Sequence, residues 1–171
     1  LFISSSALMY SPMELAAQST SHEKALTIEP INFLLNGILN VKYEQKLSQV
    51  NSYTAGGLMV YDSRSEGTWL GFGVNGSYRW YFDLFKTRKK PLEGFSLGPK
   101  ASIVYMTFNP NVNKGDIEST AILAIGGEAQ YKWVWDQFVL ETGFELAFPL
   151  FGTNDFPYYS FGLNAGLGYA W

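Results

Sequence analysis

Eight charged residues stand at alternating positions of otherwise apolar or small-residue stretches, and they are the first candidates for chemistry. They are Lys42, Glu44, Arg79, Lys100, Glu128, Lys132, Glu141 and Glu145. Paired carboxylates can work as general acid and base, but here four cations are interleaved with four anions, which favours ion pairing with one another. Because charges inside an apolar environment often mark ion or proton paths, a narrow conducting path is the alternative.

Catalysis by an activated nucleophile would need a base, and His22 is the one histidine of the sequence. A Ser hydroxyl or a water molecule is usually activated by such a neighbour. His22 lies in the polar stretch QSTSHEK, which is typical of a solvated linker, so we predict that the protein is not an enzyme.

The stretch NPNVNKGDIES, residues 109–119, lacks the correctly placed Gly and the bidentate Glu of a calcium loop. We therefore expect no metal and no cofactor.

The composition limits the class of protein. Of the 171 residues, 16% are charged and 17% are aromatic, and Cys is absent, whereas soluble domains have ~25% charged residues. The absence of Cys excludes disulfide scaffolds and thiolate metal sites. A net charge of -3 offers no general attraction to nucleic acid, because such binding depends on clustered Lys and Arg.

The elements that position the charges are predicted to be β-strands, because two-residue alternation bounded by turn residues recurs after residue 25. Pro30 and Pro99 fall inside two of these strands, where each requires a bulge or an unpaired position. No stretch approaches the ~18 apolar residues of a membrane-spanning helix. The eight predicted strands are 25–34, 38–48, 52–61, 68–82, 94–108, 120–133, 138–148 and the final stretch up to Trp171.

The two faces of these strands differ in size as well as in polarity. Large residues such as Phe72, Leu123 and Phe144 occupy one face, and Gly, Ser, Asn, Thr and the eight charges occupy the other. An eight-stranded barrel is barely wide enough for side chains inside, so the large apolar face must point outward, towards lipid. We predict an all-β, eight-stranded antiparallel up-and-down transmembrane β-barrel. A soluble ligand-binding barrel with its apolar face inward is an alternative.

Aromatic residues favour the membrane interpretation, because Trp and Tyr form girdles at the two interfaces of transmembrane barrels. The predicted register brings large side chains to two levels. At one level lie Leu47, Trp80, Phe82, Phe95, Tyr131, Trp133, Phe138, Tyr169 and Trp171, and at the other lie Tyr105, Phe148 and Tyr159.

The sequence closes on NAGLGYAW, with Asn164, Gly166, Tyr169 and Trp171 in the pattern polar, any, Gly, any, any, aromatic, any, aromatic. This pattern resembles the C-terminal signal of bacterial outer-membrane barrels, which their assembly machinery reads. The assembly machinery is therefore an expected partner of this stretch.

The segments YRWYF, PLEGFSLGPKASIVY and GGEAQYKWVW extend the likeness over residues 26–171. The chain resembles the small eight-stranded outer-membrane proteins that include OmpX and the membrane domain of OmpA, within a poorly characterised family of barrels. The resemblance implies a location in the bacterial outer membrane, N- and C-termini in the periplasm, and phospholipid and lipopolysaccharide as partners. It brings no catalytic residues.

Two segments lie beside the predicted strands. Residues 1–24 are expected to be a signal-peptide remnant or an N-terminal extension, because an apolar stretch precedes small residues there. The barrel is predicted to span residues 25–171.

Strands four and five are joined by a basic turn, which the resemblance places in the periplasm. There it could contact anionic headgroups or a partner protein. The turn contains Lys86, Arg88, Lys89 and Lys90.

Three functions are compatible with these features. The leading hypothesis is a structural or interaction role, with the barrel as an accessory subunit of a larger envelope complex, because the loops near residues 62–67, 109–119 and 150–157 are short. The alternative is a narrow pore or a conduit for small molecules. The third is a lipid A-modifying enzyme that depends on His22.

Overall fold

The computed structural model describes residues 22–63, 65–82, 92–110, 118–151 and 161–171. The predicted basic turn and most of the predicted N-terminal extension lie outside these residues. The described part of the predicted extension consists of His22, Glu23 and Lys24, and Lys24 already belongs to the first strand. Among the described residues, no helix is long and apolar enough to cross a membrane.

The strands close into one barrel in which each strand pairs antiparallel with the next and β8 pairs with β1. This confirms the predicted eight-stranded up-and-down fold. The elements are β1 (Lys24–Ile28), α1 (Pro30–Asn36), β2 (Ile38–Lys46), β3 (Asn51–Ser63), β4 (Gly67–Phe82), β5 (Gly94–Pro110), β6 (Glu118–Trp135), β7 (Phe138–Phe151) and β8 (Phe161–Ala170).

The barrel has two distinct ends. At the first, β1 begins beside the end of β8, where the backbone N–H groups of Glu23 and Lys24 both donate to the Trp171 carbonyl at 3.0 Å. We call this the Trp171 end. The opposite end contains the helix α1, which packs against β2 and β8, and we call it the helix end.

The first predicted strand, 25–34, is wrong beyond Ile28, because α1 takes over at Pro30. Proline suits the first helical turn, where its missing N–H is not needed. Gly37 ends the helix in the left-handed conformation at φ 67°, and its N–H donates to the Phe33 carbonyl. Glycine is favoured there because it adopts positive φ without steric cost. Asn36 and Gly37, which lie between the first two predicted strands, therefore form a helix C-terminus.

The face with large apolar side chains points outward, and the face with small and charged side chains points into the lumen. Phe72 is 67% exposed and Phe144 is 44% exposed on the outside, whereas Arg79 is 1% exposed in the lumen. Aromatic side chains meet around the outside of the Trp171 end, where the Tyr169 and Trp171 rings stack at 6.0 Å. Other ring contacts at this end are Phe82–Phe95, Tyr131–Trp133, Trp133–Trp135, Trp135–Phe138 and Tyr43–Trp171.

The lumen is less uniformly polar than the sequence pattern indicated. Near the helix end, Val60, Val104, Met106 and Ile122 form a buried apolar cluster. A second apolar cluster closes the Trp171 end and includes Ala25, Tyr81, Leu92, Val134, Val139 and Ala170. Charged side chains therefore occupy the middle of the interior, with apolar layers above and below them.

Pro99 lies on the outer face of β5, at a break in the ladder. The β4–β5 register runs through Ser77↔Lys100 and resumes at Trp80↔Leu97. The missing proline N–H therefore falls where the two strands are not paired, as the sequence analysis required. Inside β6, two adjacent glycines, Gly126 and Gly127, lie opposite Lys100 and Pro99.

Gly126 and Gly127 provide a matched test of packing. A Cβ on Gly126 would lie 1.8 Å from the Leu146 carbonyl oxygen, whereas one on Gly127 would meet its nearest neighbour, the Gly98 oxygen, at 3.4 Å. We expect Gly126→Ala to lower the free energy of unfolding by about 1–3 kcal/mol, the usual effect of overpacking. Gly127→Ala should leave it nearly unchanged. Urea titration in detergent micelles measures both, and equal values would contradict the prediction.

Candidate functional site

Strand alternation directs six of the eight predicted charges into one buried layer of the lumen. Lys42 and Glu44 come from β2, Arg79 from β4, Glu128 and Lys132 from β6, and Glu141 from β7; each of the six is at most 4% exposed. Ionised groups in such surroundings require partners, because an isolated buried charge is very unfavourable.

Arg79 lies at the centre of this layer. Its Nη1 atom is 2.7 Å from Glu44 Oε2 and 3.4 Å from Glu141 Oε2, and its Nε atom is 2.6 Å from Glu128 Oε1. A guanidinium suits this position because its planar donor array can bind several carboxylates in fixed directions. Arg79 thus links side chains of β2, β6 and β7 across the lumen.

Two lysines complete the connections between the carboxylates. Lys132 forms an ion pair with Glu44 and a second one with Glu141 at 3.3 Å. Lys42 Nζ lies 2.5 Å from Glu141 Oε1 and 2.7 Å from Glu29 Oε1. Each of these cations therefore bridges two carboxylates, and the ion pairs form a continuous network.

Neutral side chains satisfy further lone pairs of the same carboxylates. Tyr81 Oη donates to Glu44 Oε1 at 2.7 Å and Ser52 Oγ donates to the same atom at 2.5 Å. Ser77 Oγ donates to Glu128 Oε1 at 2.6 Å and Gln130 Nε2 donates to Oε2 at 3.2 Å. Such bonds offset part of the desolvation of buried ions.

The other two predicted charges form a separate pair. Lys100 binds Glu145 nearer the helix end, with side chains 12% and 27% exposed. The structure also adds one carboxylate that sequence reasoning missed, Glu29, which binds Lys42 and accepts a hydrogen bond from Asn40. A signal was available in the sequence, because Glu29 lies two residues after the polar Thr27 in the predicted strand 25–34, and strand alternation puts both on one face.

His22 does not lie in a solvated linker, and that prediction was wrong. It is 4% exposed at the Trp171 end, next to Glu23, whose backbone donates to Trp171. Its Nε2 atom has no hydrogen-bond partner among the described residues. The described residues contain no group of three or more His, Asp or Glu arranged to hold a metal ion.

The residues of the predicted C-terminal signal divide between the two faces of β8. Asn164 is 6% exposed in the lumen, and Gly166 adjoins the Glu141 side chain. Tyr169 and Trp171 are 49% and 45% exposed on the outside, within the aromatic ring contacts of the Trp171 end. The basic turn of the sequence analysis, Lys86, Arg88, Lys89 and Lys90, falls outside the described residues.

The chemistry of the lumen follows from this geometry. Five glutamates that the structure describes in the lumen, Glu29, Glu44, Glu128, Glu141 and Glu145, each have a cationic partner within 4 Å. A carboxylate held in ion pairs is a poor general base, and the crossing side chains obstruct passage of ions along the axis. The arrangement therefore supports closure of the barrel better than catalysis.

Removal of one network carboxylate tests the role of the buried layer. We expect Glu44→Gln to lower the free energy of unfolding by about 3–5 kcal/mol, because Arg79 and Lys132 then stay buried without the negative charge of Glu44. The matched control, Glu145→Gln, disrupts a partly exposed pair and should lower it by about 1 kcal/mol or less. Urea titration in detergent micelles gives both values, and similar losses would contradict a special role for the network.

Comparison with known proteins identifies the fold but no sequence family. No protein-family model and no curated protein matches the chain. The N-terminal β-barrel domain of Pseudomonas aeruginosa OprF is similar in structure, with 11% identity, a TM-score of 0.53, and coverage of 87% of this chain and 96% of that one. Ail, the attachment invasion locus protein of Yersinia pestis, has 13% identity, a TM-score of 0.54, and coverage of 88% and 99%. The chain therefore has the fold of the small eight-stranded outer-membrane barrels of the OmpA and OmpX type.

Proposed function

We propose that this protein is a non-enzymatic barrel of the bacterial outer membrane with a closed lumen and a structural or interaction role in a larger envelope complex. The observation that carries the proposal is the combination of two surfaces. The outside is apolar over the whole wall, and the inside is crossed by the ion pairs of Arg79, Lys42 and Lys132.

The outer surface supports a location in lipid. Large apolar side chains are exposed on every strand, including Phe72, Ile103, Phe148 and Leu163, whereas soluble monomers rarely expose large contiguous apolar patches. Backbone N–H and C=O groups of a closed antiparallel sheet are paired within the wall, which is the condition for β-structure in a membrane. The barrels of OprF and Ail have the same fold.

The Trp171 end is the end that we assign to the periplasm. β1 begins and β8 ends there, the Tyr169 and Trp171 rings stack there, and NAGLGYAW resembles the assembly signal of outer-membrane barrels. Trp and Tyr are favoured at membrane interfaces because their rings are apolar and their N–H and O–H groups are polar.

An interaction role is favoured over an adhesive one by the connections between strands. The segments between β3 and β4, β5 and β6, and β7 and β8 contain 3, 7 and 9 residues, which gives little surface for binding a distant target. The segment after β4 contains Lys86, Arg88, Lys89 and Lys90 and begins and ends at the Trp171 end. A basic segment there suits an acidic partner or anionic headgroups, each basic residue contributing about 1 kcal/mol near a charged surface.

Conductance tests closure of the lumen. We expect the protein in planar bilayers to carry no resolvable single-channel current, because the ion pairs fill the cross-section of a barrel that is already narrow. A variant with Glu44, Arg79 and Lys132 all replaced by Ser removes the charged obstruction but keeps the apolar clusters at the two ends, so any current that it carries measures how much of the closure the ion pairs provide. Steady current through the unmodified protein would contradict closure and favour the pore alternative.

Co-purification tests the interaction role. We expect purification from the membranes of its native host in mild detergent to recover a second envelope protein in constant proportion. Replacing Lys86, Arg88, Lys89 and Lys90 by Gln should weaken this association, since it removes four positive charges from one segment. The matched control, Lys24→Gln with Lys46→Gln, alters charge at the same end and should retain the partner. Recovery of the barrel alone, at high yield, would oppose a subunit role.

A further inference from the structure

A cavity of about 100 Å³ lies in the lumen between the charged layer and the helix end. One side of it is apolar and continues the cluster of Val60 and Val104. The apolar lining residues are Ile38, Leu58, Val60, Trp69, Val104 and Met106. A water molecule needs two to four polar partners to be held well, so this side suits an apolar group better than water.

The helix α1 supplies hydrogen-bonding groups on the other side. Asn36 Nδ2 donates to Asn32 Oδ1 at 2.9 Å, and both residues line the cavity. Among the described residues this bond uses neither Asn32 Nδ2 nor Asn36 Oδ1, so one donor and one acceptor remain for a ligand. Asn40 also lines the cavity, but its amide is committed: Nδ2 donates to Glu29 and Oδ1 accepts from Asn75, both at 2.9 Å. The two helix amides therefore provide one donor and one acceptor close together.

The charges around the cavity restrict the ligand further. The charged residues described in its lining are Glu29, Asp62, Lys100 and Glu145. Glu29 is paired with Lys42, and Glu145 is paired with Lys100. A carboxylate or phosphate entering the cavity would have to compete with Glu145 for Lys100, in a space of low polarity where an unpaired charge is unfavourable. The lining therefore disfavours an anionic ligand.

We propose that this cavity is a binding site for a small uncharged molecule that has an apolar ring or short chain and one hydroxyl or amide group. The apolar body would contact Trp69, Val104 and Met106, and the polar group would bond to Asn32 and Asn36. Cavities of ~150 Å³ hold a benzene ring, so a cavity of about 100 Å³ takes at most one ring, and only when its lining side chains move slightly; it excludes a complete lipid acyl chain. This site is independent of the interaction role proposed above, because it lies inside the wall.

The test uses benzyl alcohol as the probe and the two described methionines as reporters, in protein with ¹³C-labelled methionine methyl groups in lipid discs. Met106 lines the cavity and is 9% exposed, whereas Met59 faces outward and is 45% exposed. The sequence has four methionines, so Met59→Leu and Met106→Leu spectra are used to identify the outward and the cavity signals. We expect the Met106 signal to shift to saturation with benzyl alcohol, while the Met59 signal changes only in proportion to the probe dissolved in lipid.

Filling the cavity should abolish the saturable shift. Val104→Phe narrows it from β5 and Leu58→Phe narrows it from β3, so the test survives if one variant fails to fold. Ile103→Phe is the matched control, because Ile103 is next to Val104 but 54% exposed on the outside. We expect each filled variant to bind benzyl alcohol at least tenfold more weakly than the control does. With the unmodified protein, we expect benzoate to give no saturable shift of the Met106 signal.

Three results would overturn the proposal. A Met106 response that follows Met59 without saturating would show partition into lipid and no site. An unchanged response in both filled variants would place binding elsewhere. A benzoate response as strong as that of benzyl alcohol would contradict the proposed class of uncharged ligands.

Discussion

The small interior of an eight-stranded barrel is the constraint on which the other features of this protein depend. Eight strands leave room for side chains but not for rings from every strand, so the large residues are forced outward. Small residues and a limited set of long side chains remain inside. The outward position of Phe72 and the burial of Arg79 are two consequences of the same lack of volume.

The charged side chains can be buried because the strands bring opposite charges together, and the ion pairs offset the loss of hydration. Arg79 on β4 reaches carboxylates on β2, β6 and β7, which are far apart in sequence and adjacent only after the barrel closes. Buried ion pairs do not necessarily increase stability over an apolar core, but removal of one partner is strongly unfavourable. A one-residue slip of any of these strands would direct its charge to the outer, apolar face of the wall, so the network also opposes wrong registers.

The helix α1 alters one part of the wall. β1 pairs with β8 from Leu167 to Ala170, and further towards the helix end α1 packs between β2 and β8. A helix is compatible with a lipid boundary because its backbone bonds are satisfied within the segment. Its outer face presents Leu34 and Leu35, 80% and 75% exposed, and its amides Asn32 and Asn36 face the lumen. The same segment thus continues the apolar belt and contributes polar groups to the cavity.

The sequence by itself determined the strands, their two faces and the large residues that point outward, because the two-residue period is a local property that each strand displays alone. It also indicated where Pro99 interrupts the ladder. Period and composition do not show whether the chain continues as a strand or becomes a helix at a proline. The change from strand to helix after Ile28 was therefore missed. Burial of His22 was missed as well, since QSTSHEK is polar throughout and its surroundings come from distant residues. Only the tertiary structure decided that Arg79 joins Glu44, Glu128 and Glu141 and that a cavity remains beside α1. These features depend on distances across the closed barrel, and no local pattern along the chain carries that information.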